Sequence, residues 1–190
     1  RDTDRSRGLG DVYKRQIINS EGTIEIRHVL KPEGKMPLWF PRIGLTLTVS
    51  DALDQVKWYG RGPQENYPDR KTGYPTGIYA STVQAMYEPY LMPQDYGLRT
   101  DVRWLQLTTD KGIGLQFKMN EWFNFNIYPY STDNLTKAMY TYQLQKQKGM
   151  TLNLDYATTG VGCTARGVFG AYKAMPQEYR RTISIKPMMK

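Results

Sequence analysis

Trp58–Arg70 reads Trp-Tyr-Gly-Arg-Gly-Pro-Gln-Glu-Asn-Tyr-Pro-Asp-Arg. It begins as the end of a β-strand and runs into a loop dense in aromatic, charged and turn-forming residues. Met92–Trp104 (MPQDYGLRTDVRW) and Glu121–Ser131 (EWFNFNIYPYS) share that texture. Loops carrying this much polar and aromatic chemistry on a strand scaffold are common sites of recognition. The competing reading is structural: Gly60, Gly62 and Pro63 make a tight turn, and the charged residues brace it.

Upstream of the stretch the pattern is β. Thr23–Val29 sets Ile24, Ile26 and His28 against Glu25, Arg27 and Val29. Ile43–Val49 places Ile43, Leu45, Leu47 and Val49 on one face, and Gln55–Tyr59 leads into the loop. Such period-two alternation marks half-buried strands. Downstream, Pro68–Pro93 reads as a long irregular excursion, since six prolines and glycines punctuate it. Asp101–Leu107 and Gly114–Met119 follow as a hairpin, then a strand containing Phe123, Phe125 and Ile127. Thr132–Met139 is the one helix candidate, with Ser131 or Thr132 as its cap. Thr151–Asp155 and Tyr179–Ile185 close the pattern. The fold class is all-β, an antiparallel sandwich with one short helix.

Arg1–Gln16 stands apart, with five basic and three acidic residues and no helical or strand period. It reads as a translated adapter joined to a reading frame that resumes near Ile17, or else as a disordered arm. One domain is therefore expected over residues 17–190.

The net charge of +8 invites a nucleic-acid reading. The basic residues are scattered, however, and Arg180-Arg181 and Lys146/Lys148 sit in no nucleic-acid motif. No nucleic-acid partner is expected. No apolar run is long enough to cross a bilayer as a helix, and no membrane partner is expected. The single cysteine, Cys163, allows neither an internal disulfide nor a cysteine-built metal site. His28 is the only histidine, so no Ser/His/Asp set can be built around a second base.

The motif Gly-Pro-Gln-Glu-Asn-Tyr-Pro-Asp-Arg, residues 62–70, resembles the GPxExYxDR signature of the C-terminal β-sandwich domain of bacterial β-galactosidases of glycoside hydrolase family two. Tyr90–Trp104, Phe123–Ser131 and Leu152–Gly162 (LNLDYATTGVG) resemble three further segments of that domain, in the same order. The resemblance implies a galactose mutarotase-like super-sandwich. This chain corresponds to its second half or two-thirds, so sheet edges are expected to lack their early strands.

The resemblance also assigns the chemistry. Retaining glycosidases use two carboxyl groups about 5–5.5 Å apart, and the family's pair lies in a separate upstream barrel, so no catalytic residue is expected in this chain. The family's magnesium and sodium ligands likewise belong to other domains, so neither cofactor nor metal is expected here. Arg61, Glu65, Asn66, Tyr67, Asp69 and Arg70 are read as a structural loop, with Glu65 and Asp69 pairing to Arg61 and Arg70. After the GxG the family places a tryptophan beside the sugar. Here the segment runs Cys163-Thr164-Ala165-Arg166-Gly167, with Arg166 or Gly167 at that place. Cys163, Arg166 and Gly167 are the sugar-proximal candidates; Arg166 would hydrogen-bond a sugar hydroxyl or a backbone carbonyl.

The implied partners are the rest of a parent β-galactosidase chain with its barrel, a galactoside and further copies of the parent. The compartment, cytoplasm or periplasm, stays open. A free-standing sugar-binding sandwich is the alternative, with Trp58, Tyr59, Trp104 or Trp122 as its platform. A mutarotase-like enzyme would need a histidine–carboxylate arrangement that His28 does not supply.

Overall fold

The computed structural model describes residues 11–163 and 167–189. The described residues contain nine antiparallel strands: β1 (Asp11–Ile18), β2 (Ile24–Lys31), β3 (Arg42–Val49), β4 (Gln55–Arg61), β5 (Thr76–Thr82), β6 (Arg99–Thr108), β7 (Gly114–Tyr128), β8 (Met150–Thr158) and β9 (Tyr179–Met188). Helix α1 (Thr132–Lys137) is the one α-helix among the described residues, and the Ser131 hydroxyl caps it by accepting from the Asn134 N–H. The fold is all-β.

Strand β7 is the branch point. Its first half pairs with β9, from Gly114↔Met188 to Met119↔Ile183. Its second half pairs on that side with β8, from Asn124↔Asp155 to Tyr128↔Thr151. Strand β6 runs along its other edge. One path therefore reads β1-β2-β9-β7-β6-β4-β5, while β8 and β3 leave it at β7. The branches face each other. His28 of β2 is hydrogen-bonded through Nδ1 to the Tyr156 hydroxyl of β8 at 2.6 Å, although β2 and β8 share no ladder.

Between the branches lies one apolar core containing Ile26, Trp58, Leu105, Phe117, Phe125 and Leu154. The alternation seen in sequence decides which side chains enter it: Val56, Trp58 and Gly60 are inward on β4, and Lys57 and Tyr59 outward. Strand β8 departs from alternation because it lies between β3 and β7 and is covered on both faces; Met150 to Tyr156 are all buried. A smaller cluster of Tyr96, Tyr128 and Leu135 seats α1.

Three expectations change. Asp11–Gln16 is not outside the fold: Asp11–Ile18 pairs residue for residue with β2. Tyr13 to Ile18 are exposed, so backbone bonds rather than burial hold the strand and no alternation is imposed on its sequence. Residues 1–10 lie outside the described residues. The excursion Pro68–Pro93 contains β5, an edge strand paired to β4 from Gln55↔Thr82 to Arg61↔Thr76. The segments Gly114–Met119 and Phe123–Ile127 are one strand, continuous through a bulge opposite Arg103.

Gly44 shows how closely β3 and β8 approach. A Cβ there would lie 2.3 Å from the Leu154 carbonyl oxygen and 2.7 Å from Asp155 Oδ1. Backbone cannot yield as a flexible side chain does, so Gly44→Ala is expected to destabilise the fold by about 1–3 kcal/mol. Urea unfolding of the variant against the parent sequence measures this; an unchanged midpoint would show that β3 is not held against β8 as described.

Candidate functional site

The Trp58–Arg70 stretch turns out of β4 and folds back over the open end of the sandwich. Trp58 is wholly buried; its indole N–H donates to the Arg61 carbonyl at 3.0 Å, and the Arg99 guanidinium lies over its ring. Gly62 leaves room for this packing, since a Cβ would meet the Tyr79 ring at 2.8 Å and the Trp58 ring at 3.0 Å. Tyr67 and Arg70 exchange backbone hydrogen bonds, which puts Pro68 and Asp69 at the corner of a tight turn.

Glu65 is the hub of the loop and is 5% exposed. One carboxylate oxygen accepts from Arg70 at 2.7 Å and from the Tyr90 hydroxyl. The other accepts from the Gly97 N–H at 2.8 Å and the Tyr67 hydroxyl at 3.2 Å. Burial alone would raise its pKa, but the donors of Tyr90, Gly97 and Arg70 outweigh burial and hold it below the ordinary carboxylate value. Asn66, also buried, accepts from the Thr100 N–H and hydroxyl through Oδ1 and donates to the Gln64 carbonyl.

The pairing read from the sequence is only partly the one found. Glu65 pairs with Arg70, but Arg61 does not bind Asp69 or Glu65. Arg61 Nε donates to Asp101 at 2.6 Å, and Lys71 binds the same carboxylate at 3.0 Å. Asp101 sits in the left-handed region at φ 55°, where a short polar side chain is tolerated. Asp69 has no arginine partner either among the described residues. Its two oxygens accept from the Val161 and Gly162 N–H groups at 3.0 and 2.6 Å. That approach needs Gly160, whose Cβ would lie 2.3 Å from the Asp69 carboxyl carbon.

Asp69 thereby fastens the signature turn to the start of the candidate sugar loop. Cys163 is exposed, and its carbonyl accepts from the Gly167 N–H at 3.1 Å, with Gly167 at φ 61°. Arg166 lies outside the described residues. Beside this clamp opens a cleft of about 780 Å³ lined by Arg42, Tyr67, Arg70, Tyr90, Asp95 and Val161 among others.

Behind the cleft lies a second ionic group that the sequence reading missed. Arg42 shares its guanidinium between Asp95 at 2.9 Å and Asp155 at 3.3 Å. Asp155 is almost completely buried, and burial pushes its carboxyl up to about 7 in spite of Arg42. Its signal was present: Asp155 lies between Leu154 and Tyr156 in a strand, and an acid buried there must find a partner.

The proposed sugar platform is corrected in one member. Trp58 is buried and offers no face to a ligand. Tyr59 and Trp122 are exposed, the Arg103 guanidinium lies over both rings, and Trp104 packs on Tyr59. His28 is a packed residue, and burial, then the charge of Lys14, lowers its pKa.

These features define an all-β sandwich whose loops are braced by buried charge. The sequence matches the family described as beta galactosidase small chain over residues 10–185. It is 37% identical over 154 residues to the beta-galactosidase of Priestia megaterium, covering 81% of this chain and 15% of that protein. Against the beta-galactosidase of Vibrio cholerae it is 39% identical over 122 residues, covering 64% of this chain and 11% of that protein. For the beta-galactosidase of Lactococcus lactis the identity is 36% over 138 residues, covering 70% and 13%. The chain belongs to the beta-galactosidase small chain family. It spans between 11% and 15% of the length of these relatives.

The two buried carboxyls predict opposite pH responses. Glu65, with its pKa lowered, contributes stability that is present above its unfolded value of 4.5 and is lost as pH falls through its folded value. Asp155, with its pKa raised, costs stability as pH rises from 3.8 to about 7. Glu65→Gln replaces one acceptor oxygen with an NH2 group that faces donors, while Arg70 is half exposed, and is expected to cost about 1–3 kcal/mol at pH 7. Asp155→Asn is expected to flatten the loss of stability between pH 4 and 7. Denaturant melts across that range check both; a slope unchanged in Asp155→Asn would contradict the raised value.

Proposed function

We propose that this chain is the C-terminal sandwich of a β-galactosidase-like retaining hydrolase that cleaves terminal β-D-galactosides. In this reading it supplies scaffold and subunit contacts, and one wall of the sugar pocket. The paired catalytic glutamates belong to a barrel elsewhere in the parent chain, and its magnesium and sodium belong to other domains of that chain. The observation that carries the reading is the Asp69 clamp on Val161 and Gly162. It ties the family's signature turn to the loop that, by resemblance, reaches the substrate, with Cys163, Arg166 and Gly167 as its sugar-proximal residues.

The engaged carboxylates are consistent with a scaffold role. Glu65 receives four donors and Asp69 two backbone N–H groups, so each is committed to holding the loop rather than to moving a proton. A rigid loop end matters to such a reaction because small displacements of a positioning group lower the rate steeply.

The test is complementation. The beta-galactosidase of Priestia megaterium, expressed without its own small-chain segment, is mixed with this chain and assayed on a nitrophenyl β-D-galactoside. Activity is expected from the mixture and from neither part alone. Asp69→Ala in this chain is expected to lower the restored kcat/KM on the order of 10–100-fold, with the chain's own unfolding midpoint little changed. Turnover by the chain alone, or full restoration by Asp69→Ala, would sink the reading.

A further inference from the structure

Among the described residues three strands are paired on one side only: β1, β3 and β5. An open edge presents unpaired N–H and C=O groups, and proteins guard such edges with charge, proline or a bulge. Strand β1 carries Lys14 and Arg15, and β3 carries Arg42 with a bulge between Ile43 and Gly44. Strand β5 has none of these guards. It reads Thr-Gly-Ile-Tyr-Ala-Ser-Thr, without charge or proline, and its register with β4 runs unbroken from Gln55↔Thr82 to Arg61↔Thr76.

The edge also carries an apolar stripe. Ile78 is 62% exposed on the outer face of the sheet, and the register continues it through Tyr59 of β4 to Trp104 of β6. The strand is close to self-complementary as well. Antiparallel pairing with a second β5 about Tyr79 sets Thr76 against Thr82, Gly77 against Ser81 and Ile78 against Ala80. The large Ile78 thus meets the small Ala80, and no like charges stand opposite each other. With a residue on the axis, outward side chains meet outward ones; a slip of one residue would set them against inward ones.

The two ends of β5 differ in charge. At the Thr76 end Arg61 and Lys71 share one carboxylate, that of Asp101. At the Thr82 end stand the exposed Asp51 and Asp54, and the Asp54 carbonyl accepts from the Val83 N–H. Two copies of a chain of net charge +8 repel at long range, so the arrangement of charge at the contact matters. Antiparallel pairing brings the acidic end of one copy beside the basic end of the other, whereas parallel pairing sets like ends together. We propose that two copies of this chain associate through β5, edge to edge and antiparallel about Tyr79, so that their sheets join into one. The contact rests on β5 itself and does not depend on the parent-chain reading.

Sedimentation equilibrium of the whole chain from about 1 μM to about 1 mM spans the affinities of an interface this small. A monomer–dimer equilibrium is expected. Ile78→Lys places a charge on the edge and is expected to raise the dimer Kd about tenfold or more. Ile78 is exposed, so this variant is expected to fold, and circular dichroism verifies it. Tyr13→Lys, at an exposed position of β1, is expected to leave the Kd unchanged. Cross-linking reads the register. Cys163 is the only cysteine, so Thr76→Cys and Thr82→Cys are each made together with Cys163→Ser. Diamide oxidation of the two variants mixed is expected to give disulfide dimers, and of either alone to give none. A monomer throughout the range, a Kd unmoved by Ile78→Lys, or disulfide dimers from one variant alone overturns the proposal. The complementation assay reads activity through the Asp69 clamp, so either idea can fail while the other stands.

Discussion

The shared use of β7 by two diverging partners governs the whole molecule. Strand β7, fifteen residues long, keeps β6 along one edge but divides the other, giving its first half to β9 and its second to β8. Everything else follows from that division. The β9 branch carries β2 and β1, the β8 branch carries β3, and the space between fills with aromatic and aliphatic side chains. The point of divergence leaves a cavity beneath Trp122, because no backbone ladder occupies it.

The ends of the strands are closed by buried charge rather than by more apolar packing. Loop backbone at a sandwich end needs hydrogen-bond partners, and a carboxylate serves several at once. Glu65 gathers side chains and backbone from residues 67, 70, 90 and 97; Asp69 gathers 161 and 162; Asp101 gathers 61 and 71. Asp155 lies deeper and has fewer donors, and burial dominates its ionisation. The number of donors around a buried carboxyl, more than its depth, thus separates a permanent brace from a group that titrates near neutrality.

Much of this was legible along the chain. The alternation in Gln55–Tyr59 and Ile43–Val49 identifies strands because burial of one face imposes a period of two. Where burial is absent that signal fails, as in the exposed β1; in β5 the alternating half-buried positions are Gly77, Tyr79 and Ser81, which make no apolar face. The join between Gly114–Met119 and Phe123–Ile127 was hidden because a bulge breaks the period without ending the strand. In the site, the Glu65–Arg70 pair was readable because five residues separate its members within one turn.

The sequence alone determined the all-β class, the signature turn and its family. These follow from local alternation, turn chemistry and the order of four motifs. Tertiary structure alone decided which charges distant in sequence meet. Arg61 finds Asp101 forty residues away, and Asp69 finds backbone groups 92 and 93 residues away. Salt bridges are set by where strands cross in space, and no periodicity along the chain encodes that. The same holds for the fork: the lengths of β7, β8 and β9 are written in their residues, but the gap between them exists only once the three strands are paired.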